Sequence, residues 1–144
     1  MVLSFSPALP ADAEVIYHFA RELIERYEDP AAVDLDRALV WTRRKIEIHI
    51  RQYICVLCDG EKAGYFRFVP RENGMELDDL YVLPAFRGLG IGTAVVNRCI
   101  GYGKPVELYV FMKNTGALRF YHRLGFEMIR QVSPTRGILR REVL

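Results

Sequence analysis

The sequence predicts one α+β domain over residues 1–144, with a mixed, mostly antiparallel central sheet and helices on both faces. Three observations predict it. Apolar residues recur at helical spacing through the first third, and the middle third holds three successive β-prone runs joined by short turns. The last third alternates strand and helix patterns around a glycine-rich loop. With 51% hydrophobic residues, a chain of this length can build one core without disulfides or metals.

Residues 2–5 are β-prone and run into Pro7 and Pro10. From about Ala11 a helix follows, since Val15, Ile16, Phe19, Leu23 and Ile24 share a stripe and Asp12 and Glu14 suit its positive end. Asp29-Pro30 stops it. A second helix is expected from Asp34 to about Ile50, with Leu35, Leu39, Ile46 and Ile50 on one face. Arg43, Arg44, Lys45 and Arg51 gather toward its negative end; for the basic stretch over residues 41–50 a solvated helix face is the plain expectation, with a mobile lip over a site as the alternative.

The period then changes to two. Residues 53–58 read as a strand, Asp59-Gly60-Glu61-Lys62 as a hairpin turn, and residues 63–69 as its partner. Residues 70–74 turn again, and residues 75–82 form a third strand. A loop over residues 83–92 opens a short helix from Thr93 to Ile100, which Gly101, Gly103 and Pro105 cut off. Residues 106–111 are a strand, and residues 115–124 are a helix closed by Gly125. Two more strands, over residues 126–132 and 137–143, complete the sheet.

Twenty Lys and Arg against eighteen Asp and Glu leave a net charge of +2, so no nucleic-acid partner is expected. Cys55 and Cys58 have CxxC spacing, but strand alternation sends them to opposite faces as buried thiols. Residues 1–10 lack the basic and apolar regions of a leader, and no run is long enough to span a bilayer. Cytoplasm and no membrane partner are the expectations. His18, His49 and His122 are isolated, and no ligand spacing calls for a metal.

The stretch with most chemistry is Leu80-Tyr81-Val82-Leu83-Pro84-Ala85-Phe86-Arg87-Gly88-Leu89-Gly90-Ile91-Gly92-Thr93. A strand feeding a glycine-rich loop that opens a helix makes an anion site. The first turn offers unpaired N–H groups and a partial positive charge, and glycines let a phosphate approach the backbone. Arg87 adds a fixed cation. Thr93 stands where GxGxxG needs glycine, and no Gly-Lys-Ser/Thr follows, so neither the dinucleotide nor the P-loop fingerprint is met. Read alone, the loop could equally be a tight connection.

Arg87-x-x-Gly90-x-Gly92, after Leu-Tyr-Val-x-Pro, resembles the [Q/R]-x-x-G-x-[G/A] signature of the GNAT superfamily of acyl-CoA-dependent N-acetyltransferases. Asn114-x-x-Ala117-x-x-Phe120-Tyr121-x-x-x-Gly125-Phe126 is similar to that family's second block, in the right order. The likeness covers roughly residues 53–132. It departs from the family where the helix after the loop ends early.

The resemblance implies acetyl-CoA as co-substrate, without a metal. It would be bound by Leu80 and Val82 through their backbone, by Arg87, Gly88, Gly90, Gly92 and Thr93 at the pyrophosphate, and by Asn114, Ala117 and Tyr121. It also implies direct transfer of an acetyl or other acyl group to an amine of a small molecule or peptide. Tyr121 would be the acid that protonates the departing thiolate. An amine must first lose a proton, and Glu76, Asp78 and Asp79 are the carboxylates of the third strand. Alternation places Glu76 with Asp78 and puts Asp79 on the other face. Some family members carry a glutamate six residues before the strand-ending valine, which is Glu76 here. These carboxylates favour a cationic acceptor, dimers common in the family leave a homodimer open, and the alternative to an enzyme is a degenerate domain that binds acyl-CoA as a sensor.

Overall fold

The computed structural model describes residues 1–143. Strand β1 (Leu3–Pro7) leads through a 3-10 turn (Pro10–Asp12) into α1 (Ala13–Tyr27), and α2 (Leu35–Ile48) follows. Then come β2 (Tyr53–Cys58), β3 (Glu61–Arg71), β4 (Gly74–Val82), α3 (Ile91–Ile100), β5 (Val106–Phe111), α4 (Thr115–Arg123), β6 (Glu127–Gln131) and β7 (Arg136–Arg141). One seven-stranded sheet results, in the order β1-β2-β3-β4-β5-β7-β6. The β4–β5 pair is parallel and the other pairs are antiparallel, so the sheet is mixed as predicted.

Local chemistry sets the element ends. The Asp34 carboxylate accepts the Arg37 N–H and caps α2. Asp59 and Gly60 both take positive φ, +50° and +85°, as a two-residue hairpin turn requires. That turn is tighter than the four-residue turn expected, so Glu61 and Lys62 join β3. The next turn tightens too: β3 runs on through Pro70 to Arg71, and β4 begins at Gly74. Each shift lengthens the meander by pairing backbone groups that a wider turn would leave to water.

Two cores lie on opposite faces of the sheet. Helices α3 and α4 cover Phe66, Leu77, Val106, Leu108 and Phe126, while α1 and α2 cover Tyr53, Tyr65 and Tyr81 with Ile16, Phe19 and Ile46. Cys55 packs in the second core and Cys58 in the first, both as free thiols, which bears out the alternation. Among the described residues no helix is long and apolar enough to cross a membrane.

Two irregularities of β4 shape the site. Its pairing with β5 is confined to Met75 opposite Val106 and Glu76 opposite Glu107, whereas β5 pairs with β7 along its whole length. Beyond Glu76 the two strands part and a cleft opens. On the other edge the register with β3 shifts, because Tyr65 faces Tyr81 but Arg67 faces Asp78. Asp79 and Leu80 thus oppose Phe66 alone, and Asp79 takes a φ of +55°, the signature of a β-bulge. The extra residue resets the alternation. Leu77, Leu80 and Val82 point to the α3–α4 core, and Asp79 joins Asp78 on the α2 side. The expectation that these two aspartates face apart is therefore corrected.

Candidate active site

The loop after β4 is built as an anion cradle. Gly88 and Gly90 have φ of +77° and +81°, and a Cβ at either would meet nothing within 4 Å, so the space above the backbone is open. Gly90 caps α3, and the Ala94 N–H donates to its carbonyl at 3.0 Å, leaving the N–H groups of the first turn without helical partners. Arg87 donates from Nε to the Val82 carbonyl at 3.1 Å and ties the loop to the end of β4. Gly92 has a different job. A Cβ there would stand 3.3 Å from the Phe120 ring, so the missing side chain lets α3 pack closely on α4. Thr93 is half-buried in the first turn of α3.

The cleft between the parted strands has a volume of about 650 Å³ and is lined by Glu76, Leu80, Asn114, Ala117 and Tyr121 among others. The structure thus brings these five sequence-derived candidates together, while Val82 and the loop residues follow on at the end of β4. Asn114 caps α4, its Oδ1 accepting the Ala117 N–H at 3.1 Å, which leaves its amide NH₂ for another partner. The Tyr121 ring is held edge-on by Phe120 and Phe126. Burial pushes its hydroxyl pKa up, with a smaller push from Cys99. No described residue hydrogen-bonds that hydroxyl, and among the described residues no buried polar side-chain atom lacks a partner, so the hydroxyl opens into the cleft that Tyr121 lines.

Across the cleft lies a network of buried charge. Lys45 of α2 donates from Nζ to Asp78 Oδ2 and Asp79 Oδ2, each at 3.0 Å. Arg67 donates to the same Asp78 oxygen at 3.0 Å and to Gln52 at 2.8 Å. Asp79 also accepts from the hydroxyls of Tyr53 and Tyr81, so both of its oxygens are engaged. Glu76 accepts from Arg71 Nε at 2.9 Å. Burial and then the Asp79 charge push the Asp78 carboxyl pKa up. Burial would raise Asp79 as well, but Lys45 and the Tyr53 hydroxyl outweigh it and hold that carboxyl down. The Asp78 Oδ1 has no partner among the described residues and, on the same reasoning as Tyr121, faces the cleft.

The profile of the acetyltransferase (GNAT) family matches residues 16–126, most of the chain. The chain belongs to the GNAT family. An uncharacterized N-acetyltransferase of Archaeoglobus fulgidus is 30% identical over 131 residues, covering 77% of this chain and 86% of that protein. Another uncharacterized N-acetyltransferase, from Methanocaldococcus jannaschii, is 42% identical over 77 residues, which is 50% of this chain but only 33% of the relative's length. Among solved structures, PaiA N-acetyltransferase of Thermoplasma acidophilum in complex with coenzyme A superposes with a TM-score of 0.71 at 18% identity, covering 99% of each chain. That likeness concerns the fold.

Sequence reasoning missed the cationic half of this GNAT cleft: Lys45, Arg67 and Arg71, with Tyr53 and Tyr81 behind them. One signal was there to be used. Lys45 lies three residues after Thr42 and one before Ile46, both buried, so it sits beside the inward stripe of α2 and not on its wet face. Arg67 sits at an inward position of β3, between Phe66 and Val69, where an arginine needs a buried acid.

Proposed function

We propose that the protein transfers the acetyl group of acetyl-CoA to an amine of a small molecule or peptide by direct attack. One observation carries this reading: a single cleft that runs along the parted strands β4 and β5, next to a glycine cradle at a helix N-terminus, and holds a phenol and an open carboxylate oxygen. The residues present fit the donor. The N–H groups around Gly88, Gly90 and the first turn of α3 suit a pyrophosphate, with Arg87 holding the loop in place. The β5-facing edge of β4 near Leu80 and Val82 suits the pantetheine amides, which would extend it as an added strand. The Asn114 NH₂ and the small Ala117 side chain complete the wall.

The chemistry then assigns two proton transfers. An ammonium acceptor must become an amine before its nitrogen attacks the thioester carbonyl. Asp79 is fully engaged, and Glu76 lies at the apex beside Arg71, where β4 and β5 are still paired. Asp78 offers a free oxygen in the open cleft and a raised proton affinity, so we read it as the proton acceptor ahead of Glu76. As the new N–C bond forms and the C–S bond breaks, the thiolate takes a proton from Tyr121, and the proton that the nitrogen loses on becoming an amide restores the Tyr121 phenol. Burial raises the Tyr121 pKa, so the phenol is fully protonated at neutral pH and holds a proton for the sulfur as charge develops there.

A thermal melt tests the donor. Acetyl-CoA or CoA at about 100 times its Kd should stabilise the protein by ~2.7 kcal/mol, and ATP and NAD by much less. Equal stabilisation by all three would reduce the loop to a generic phosphate site.

A further inference from the structure

Three carboxylates at the acceptor end suggest a cationic acceptor when read from the sequence, but the structure shows each of them already holding a cation. Glu76 is paired with Arg71, Asp79 with Lys45, and Asp78 with Lys45 and Arg67. The open Asp78 oxygen can meet one amine, but a polyamine would find no net negative charge for its further cations, and displacing Lys45 or Arg67 would strand a buried charge. Three carboxylates and three cations leave this end balanced, not negative. His49 of α2 lines the cleft, and its pKa is depressed by burial and then by Arg67 and Lys45, against an opposing pull from Asp78. Arg71 is the cation with capacity to spare. Its side chain is 48% exposed, it uses Nε on Glu76 and one NH₂ group on the Pro70 carbonyl, and its second NH₂ group has no partner among the described residues.

The opposite wall is apolar. Ala20, Leu23 and Ile24 of α1 and Ala38 of α2 line the cleft, and Trp41 stands at its mouth with 64% exposure. An indole left in water beside a cleft offers a face for an apolar group of a bound molecule. Glu76 and Asp78 are two residues apart on one face of β4, a backbone spacing of ~7 Å, so Arg71 on Glu76 and the open Asp78 oxygen occupy neighbouring positions along the cleft.

Resting on the acetyltransferase reading, we propose that the acceptor is a small amino acid with an apolar side chain: its carboxylate is held by Arg71, its amine is presented to Asp78, and its side chain lies against Trp41. The free NH₂ group of Arg71 can donate to a carboxylate, and such a charge-assisted bond is worth about twice a neutral one. The carboxylate therefore gives affinity and also fixes which end of the molecule meets the thioester.

The test is paired kinetics with saturating acetyl-CoA, following thiol release, on leucine, methionine and phenylalanine against their decarboxylated amines and against spermidine. The amino acids should exceed the matching amines by at least about tenfold in kcat/KM, as expected of a charge-assisted contact. Arg71→Gln should narrow that ratio to about threefold or less, mainly through KM of the amino acid, whereas a merely structural arginine would lower both members of a pair alike. Trp41→Ala should raise KM for phenylalanine several-fold more than for alanine. Preference for spermidine, equal rates within the pairs, or no turnover of any amino acid by protein that binds CoA would each overturn the proposal while leaving the donor site standing. Failure to bind CoA would instead remove the reading on which it rests.

Discussion

The two sides of β4 recognise by different means. Toward α3 and α4, its side chains Leu77, Leu80 and Val82 pack into the core, and what remains for a ligand is backbone: a strand edge that β5 has left and a glycine turn at a helix start. Toward α2, the same strand presents carboxylates, and every one of them is answered by a cation or a phenol from α2, β2 or β3. The first side depends on residues adjacent in the chain. The second joins residues as much as 34 apart, so it exists only once the sheet and helices have packed. Backbone recognition tolerates drift in side chains. A buried ionic network does not, because losing one member strands the others.

The largest effect should come from breaking the network at its centre. Lys45 has a side chain 18% exposed and serves Asp78 and Asp79 together. Burial disfavours its charge, yet Asp79 and Asp78 outweigh that and hold its pKa above the ordinary lysine value. Lys45→Met leaves two adjacent carboxylates to Arg67 and the tyrosines, and should cost about 3 kcal/mol, the low end for removing one partner of a buried pair. For a domain of this size that is a fall of roughly 10 °C in Tm. The linkage gives a second readout. A raised lysine pKa contributes stability that is complete below ~10.4 and is lost as pH rises through the folded value. Melting temperature should therefore decline in alkali for the native protein, and less steeply for Lys45→Met.

Two further substitutions test the donor side, each at about 100-fold. Gly90→Val puts a β-branched residue at φ +81°, where L-residues are strained, and fills the open space above the loop. CoA should bind at least ~100-fold more weakly to a protein that still folds, as judged by titration calorimetry and circular dichroism. Undiminished affinity would move the pyrophosphate elsewhere. Tyr121→Phe keeps the ring between Phe120 and Phe126 but removes the proton. Turnover should fall at least ~100-fold with CoA affinity unchanged within a few-fold, provided chemistry and not product release limits the rate. Unchanged turnover would make Tyr121 a packing residue, and a protein that binds CoA but acetylates nothing would be the sensor.

What could be read in the sequence follows the same division. The meander, the glycine cradle and the Asn114–Phe126 helix have local signals: turn residues, a change of period and a cap. All three stand where they were expected, within a few residues. Asp78 and Asp79 were visible as candidates, but their common orientation was not. It depends on one bulged residue at φ +55°, and an aspartate there carries no glycine-like warning. In the sequence Lys45 reads as a helix-dipole cation, because its partners come from another element. Long-range ion pairs leave no periodicity to detect.

The smallest expected effect is the one that separates the two remaining bases. Glu76→Gln keeps the shape of the side chain and a hydrogen-bond acceptor for Arg71, and removes a charge at the apex of the cleft. If Asp78 takes the proton, Glu76 only orients its neighbours, and kcat/KM should fall a few-fold at most. Asp78→Asn, by contrast, should lose ~10²-fold or more, as removal of a general base does. The pH profile adds a readout that a structural role would not move. Burial and Asp79 raise the Asp78 pKa, so kcat/KM should fall as pH drops through a value above the ordinary ~3.9 of aspartate, where the carboxylate gains its proton. That acid limb should persist unchanged in Glu76→Gln and disappear from the residual activity of Asp78→Asn. The reverse pattern, with the limb lost in Glu76→Gln, would return the proton to Glu76 and make Asp78 one more structural member of the Lys45 network.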